Sequence, residues 1–210
     1  MPYTLMRVTD AGVVLWDYHV RRLELDKEGA PLERLRAFGR EAAPGVWAIS
    51  TDHEQGMRVE RRGESRLREG MPARFLTSPV ANQVGRIAKP SGPSCYDQVR
   101  LDEMATLLTS PDGKEIYEAC RAAVVGWDGE RIVCVPRDRP RIWSTAEAAI
   151  REHLAVREAA ISTDSHAILL VNAVKGTCAL AQSHRRGFPP AVRRTIDDLF
   201  ARLTKRPDTP

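Results

Sequence analysis

The sequence predicts an α/β or α+β protein built as two small lobes, and three features of its 210 residues point there. Short apolar runs bounded by turn residues recur in both halves, as strands do. Segments with helical periodicity lie between them and close the chain. A run containing proline and glycine, Ser78 to Pro93, separates two stretches of different texture and reads as a linker. The expected division is an N-terminal lobe over 1–80, a connector over 81–95 and a C-terminal lobe over 96–210.

Each element has its own local reason. Thr4 to Trp16 reads as two short strands about the turn Asp10-Ala-Gly12. A charged helix starts near Tyr18, and Pro31 to Arg40 suggests another, since proline is tolerated in a first helical turn. Val46 to Ser50, Met57 to Arg61 and Ala73 to Leu76 read as strands. Beyond the connector, Met104 to Thr109 is a strand closed by the turn Ser110-Pro-Asp-Gly113. Ile116 to Trp127 reads as one extended segment, which Asp128-Gly129 turns back into Arg131 to Val135. Ser144 to Val156 is the clearest helix, with Ser144 as N-cap and Glu147 three residues on in a capping-box pattern. Ala167 to Asn172 is a buried strand, and Pro189 to Leu203 an amphipathic helix.

Composition narrows the function. Hydrophobic residues at 42% and charged residues at 29% make a globular chain, and the net charge of +4 is spread as arginine interleaved with glutamate. A nucleic-acid groove would want a clustered basic face with aromatics, and aromatics are only 6%. A small phosphorylated or carboxylated ligand suits this charge better. Cys95, Cys120, Cys134 and Cys178 form no CxxC pair, so neither a zinc site nor a disulfide framework is indicated. No apolar run is long enough to span a membrane, and the first residues lack a signal pattern. The expectation is a cytoplasmic protein with reduced thiols and no metal.

Several residues carry possible chemistry. Lys89 stands out because the chain has 27 arginines and only five lysines. Arginine cannot give up its proton, whereas a neutral lysine amine can attack a carbonyl; an ordinary loop lysine is the plainer alternative. Glu118 lies in an apolar strand, where a carboxylate either points to solvent by alternation or is held for a ring nitrogen or a cation. His19 and Arg22 share a helix face, on which Arg22 either makes a surface salt bridge or reaches into a cleft to hold phosphate. The amides opening the helix at Ser144 and Thr145 could cradle a phosphate, although the capping box competes for them. Histidines without metal spacing, and the absence of GxSxG, GxGxxG and P-loop patterns, leave hydrolase and nucleotide motifs unsupported.

Taken in order, these blocks resemble the class IV aminotransferase family, the fold-type IV enzymes that use pyridoxal 5′-phosphate (PLP), and especially its 4-amino-4-deoxychorismate lyases. Thr4-Leu-Met-Arg7 with His19-Val-Arg-Arg22-Leu23 resembles the family's opening strand pair and H-x-x-R-L helix. Lys89 followed by Tyr96-Asp97 resembles its lysine block, and Asp112-Gly113 with Ile116-Tyr-Glu118 its D-G-x-x-x-E strand. Trp127-Asp-Gly129 through Val135-Pro136 resembles the following hairpin, and Leu169-Leu-Val-Asn172-Ala-Val-Lys-Gly176 the late strand ending in N-S-V-R-G.

The resemblance implies a two-lobed D-amino-acid aminotransferase-like fold and a homodimer acting on an amino acid or aminated carboxylic acid. It implies a Schiff-base role for Lys89, a ring-nitrogen contact for Glu118, and phosphate contacts for Arg22, for Ser144 or Thr145, and near Asn172. Substrate contacts fall to Arg7 and Tyr96. Lyase action is expected, with transamination and a cofactor-free binding or regulatory protein as alternatives. Pro140 to Glu147 replaces the family's glycine-rich phosphate loop, and Glu147 sets negative charge one turn into the helix. That departure predicts weak or absent PLP, and a gain in affinity from Glu147→Arg.

Overall fold

A computed structural model of the protein describes residues 3–25, 29–52, 56–63, 68–81, 86–87, 104–180 and 187–207. The chain opens with β1 (Tyr3–Thr9) and turns directly into β2 (Gly12–Val13). After α1 (Trp16–Arg22) and α2 (Ala30–Glu41) come β3 (Gly45–Asp52) and β4 (Gly56–Arg62), giving an antiparallel sheet in the order β2-β1-β3-β4. Strand alternation decides its faces: Thr4, Met6 and Val8 are buried, while Tyr3, Leu5 and Arg7 are half-buried on the other side. Met6, Val8 and Ile49 pack with Leu32 and Leu35 of α2 and Trp16 and Leu23 around α1. Gly12, at φ +125°, pairs its hairpin with the C-terminal segment through Val13 N–H to Lys205 O at 2.9 Å. A Cβ there would strike the Lys205 and Arg206 backbone, so glycine is demanded both by conformation and by space.

Next, β5 (Ala73–Thr77) lies parallel to β7 (Ala105–Thr109), which pairs antiparallel with β8 (Ile116–Ala119). The two-residue strand β6 (Arg86–Ile87) pairs parallel with β11 (Arg141–Ile142). Between these, β9 (Ala123–Trp127) and β10 (Ile132–Cys134) form the expected hairpin. The single extended segment expected over Ile116 to Trp127 is two strands. A corner at Cys120-Arg121, closed by Ala119 N–H to Ala122 O at 3.0 Å, sends β8 and β9 into different sheets. Hydrophobic alternation could not reveal that corner, because every residue of β8 and nearly all of β9 are buried on both faces.

α3 (Thr145–His153), β12 (Val156–Glu158), β13 (Ala167–Asn172), β14 (Gly176–Ala179) and α4 (Pro190–Arg202) complete the chain. The second large sheet runs β12-β10-β9-β13-β14. It separates two apolar layers. Val125, Leu169 and Val171 face Ala149 and Ile150 of α3 and Ile196 and Leu199 of α4. Val124, Ile168 and Leu170 face Leu107 of β7 and Ile116 of β8. Each side chain so buried contributes about 1.5–3 kcal/mol, so β9 and β13 anchor the larger part of the molecule. β8 therefore lies against this packed sheet, and whatever its side chains do is done from a rigid base.

Cys134 of β10 is fully buried in this core, and burial pushes its thiol up to about 12 from 9.0. The neutral thiol is thus favoured in the folded state. Its contribution to stability is complete below pH 9.0 and is lost as pH rises from there through about 12. Urea midpoints should accordingly fall between neutral pH and pH near 11, and fall less in Cys134→Ala. An equal fall in both proteins would assign the alkaline loss to other groups.

Candidate functional site

Glu118 is the first residue to place. It sits on β8 with 5% of its surface exposed, so the solvent-facing alternative is excluded. Both carboxylate oxygens accept from the Ile142 amide of β11, at 3.2 and 3.3 Å. Hydrogen bonds to an ionised carboxylate favour its charged form. Neighbouring Cys120 feels that charge: burial first, and then Glu118, push its thiol up to about 11. The corner that follows is tied down by Asn172, whose Nδ2 donates to Arg121 O.

Arg22 closes α1 and is the second member. Its Nε donates to Tyr3 O at 3.1 Å, and the guanidinium lies over the Trp143 ring, 5.9 Å from the centroid. Burial lowers its pKa to about 10, and the negative charge of Glu118 works against that fall. The group stays cationic at neutral pH and is held near a buried carboxylate. The surface-salt-bridge alternative for Arg22 does not hold; Arg21, on the outward side, makes that bridge with Glu152 at 3.0 Å. His19 is buried and shares a 2.7 Å hydrogen bond with Thr4 Oγ1, tying α1 to β1.

The start of α3 is the third. Ser144 is the N-cap, and its hydroxyl accepts from Glu147 N–H at 3.3 Å. The Glu147 carboxylate does not return to Ser144 as a capping box would require. It is buried at 3% exposure between two arginines: Arg141 grips both oxygens, with Nη2 to Oε1 at 2.9 Å, and Arg151 Nε reaches Oε1 at 2.8 Å. The expectation that Glu147 repels a phosphate is therefore corrected, because its charge is met within the cluster by both arginines. Arg141 and Arg151 also both donate to Val135 O, and Arg151 Nη1 meets Glu158 at 2.7 Å. Glu147→Arg would place three guanidiniums together and has no reason to tighten anything.

The remaining expected residues are scattered in kind. Asn172 spends its side chain on structure: Oδ1 accepts from Val174 and Lys175 N–H at 2.8 and 3.1 Å, shaping the β13–β14 turn. Arg7 lies on the Tyr3 side of β1, half-buried. Lys89 and Tyr96 lie outside the described residues. A cleft of about 420 Å³ lined by Phe75, Lys114, Ile116, Ser162, Thr163 and Asp164 contains none of the candidate catalytic, cofactor or substrate residues. Trp143 and the Ile142 amide, by contrast, escaped the sequence reading. A backbone amide leaves no trace in residue types, and Trp143 read only as part of a replaced loop.

Arg22, Glu118 and the first turn of α3 form a donor set that fits PLP. The amides of Thr145 and Ala146 have no partner within the helix, and the helix dipole adds positive potential at that end. With Arg22 they suit a phosphate dianion, while Glu118 suits a protonated ring nitrogen. Among the described residues no group of His, Cys, Asp and Glu could hold a metal ion, and no helix is long and apolar enough to cross a membrane.

No family profile matches the chain, and no curated protein does. Solved structures do match. The apo form of a hypothetical aminotransferase from Mycobacterium tuberculosis superposes with a TM-score of 0.68 at 18% identity, covering 97% of this chain and 88% of that one. Its PLP-bound form gives 0.66 at 17% identity with the same coverage. A 4-amino-4-deoxychorismate lyase from Pseudomonas aeruginosa gives 0.63 at 13%, covering 94% of this chain and 88% of its own. The protein therefore has the α+β, fold-type IV architecture that the order of its motifs implied.

Removing Glu147 should be severe. Glu147→Ala leaves Arg141 and Arg151 buried without their shared counter-charge, a loss of about 3–5 kcal/mol. Chemical denaturation will measure it, and a loss below about 1 kcal/mol would mean that water or Glu158 already neutralises the pair.

Proposed function

We propose that the protein binds PLP where the end of α1, β8 and the start of α3 meet, and uses it on a small amino acid or aminated carboxylic acid in the manner of an aminodeoxychorismate lyase. The observation that carries this reading is the Glu118 carboxylate, buried on β8 within charge range of the half-buried Arg22 cation. Burying a carboxylate on β8 costs free energy that an apolar side chain would not. Likeness in fold to a structure with PLP bound adds support.

In this reading Arg22 and the amides of Thr145 and Ala146 hold the phosphate, and Glu118 holds a proton on the ring nitrogen. PLP, when bound, supplies an electron-poor ring that stores the electron pair left at the substrate's α carbon. Lys89 would supply the amine that holds the cofactor, and its Nζ would carry the α proton. Lys89 follows Ile87 by two residues in the sequence, and Ile87 is the register partner of Ile142, whose amide holds Glu118. Arg7 and Tyr96 are assigned to the substrate's carboxylate and body.

Titration with PLP, followed by absorbance, tests the reading directly. The wild type is expected to bind and to yield a borohydride-fixed adduct at Lys89, absent in Lys89→Ala. An adduct mapping to Lys114 or Lys175, or a wild type that never binds PLP, would overturn it. Glu118→Gln should still bind, but more weakly by about ten- to a hundred-fold, the equivalent of one charge-assisted hydrogen bond of roughly 1.5–3 kcal/mol.

A further inference from the structure

The cluster around Glu147 does more than close the core. Arg141 and Arg151 are both buried, Glu147 lies between them, and Val135 O accepts from both. A buried ion cluster of this kind is weak evidence for stability, since apolar residues of similar size often serve as well or better. What it does provide is fixed geometry. The guanidinium of Arg141 meets the carboxylate as a two-pronged fork, which restricts orientation as well as distance.

β11 has need of such fixing. It is a two-residue strand whose strand partner among the described residues is the equally short β6, and strands of that size are marginal by themselves. Arg141 is its first residue and Ile142 its second, and the Ile142 amide is the donor to Glu118. We propose that Arg141, clamped by Glu147 and Val135 O, is a positioning residue that fixes the β11 backbone so that the Ile142 amide orients the Glu118 carboxylate. Arg151 acts on the same carboxylate of Glu147 from one helical turn further along α3 and completes the clamp. The functional weight of this assignment rests on the reading of Glu118 as the cofactor's partner; the geometric part does not.

The experiment separates the two. In ¹⁵N-resolved spectra of the full chain, the Ile142 amide should shift in Glu118→Gln, because its acceptor loses charge. Arg141→Gln should shift the same amide and speed its hydrogen exchange at least ten-fold, with the far-ultraviolet spectrum unchanged. Arg141→Lys, which keeps the charge but not the fork, should fall between, and it takes over the test if Arg141→Gln does not fold. An Ile142 amide with wild-type shift and protection in either folded variant would overturn the proposal. PLP titrations of Glu118→Gln, Arg141→Gln and the double variant form the second arm. Affinity losses that overlap in the double variant support positioning through Glu118, and losses that multiply independently refute it. If the wild type binds no PLP, the functional reading fails while the amide measurements still decide the positioning.

Discussion

The buried carboxylate of Glu147 is the point from which the geometry of the candidate site is set. Two arginines converge on it from opposite sides of the sequence, one from β11 and one from the second turn of α3. Through Val135 O they also hold the end of β10. Three elements of the site are thereby locked to one another: the strand whose amide meets Glu118, the helix whose first turn is open to an anion, and the core sheet beneath. Ile142, Trp143, Ser144 and Thr145 are the four residues between Arg141 and Ala146, so this knot dictates the course of the segment.

The core explains why Glu118 can be held at all. β9 and β13 are apolar on both faces and bury one layer against α3 and α4 and another against β7 and β8. A carboxylate on β8 is expensive there unless donors meet it, and Ile142 N–H is such a donor. The corner at Cys120-Arg121 is equally constrained, since Asn172 grips Arg121 O while shaping its own turn. An asparagine that looked like a ligand contact is thus a brace for the strand that carries the acid.

Arg22 shows the same economy of placement from the end of α1. There its Nε satisfies the Tyr3 carbonyl and the guanidinium rests on Trp143, ahead of α3. One cation therefore joins β1 to the approach to α3. Likeness to solved structures at 13–18% identity with TM-scores of 0.63–0.68 fits this picture. The polar contacts at the start of α3 are built here around Arg141, Glu147 and Arg151.

The sequence by itself determined the strands and helices whose signals are local. Alternation in Tyr3–Thr9, the Asp128-Gly129 turn, the Ser144 cap and the proline-led α2 and α4 all follow from neighbours along the chain. It also singled out Glu118 and Arg22, because a charge in an apolar strand and an arginine beside a buried helix face are visible in residue types. Only the tertiary structure decided what met them. The corner at Cys120-Arg121 is invisible where the flanking strands are buried on both faces and show no alternation, and α3 stops at His153 because Val156 is taken up by β10 as a parallel strand. Glu147 read as a lone negative charge because the clamp by Arg141 and Arg151 is not legible along the chain. That contact depends on where two short strands and a helix end converge, and such a meeting of backbones has no period in the sequence.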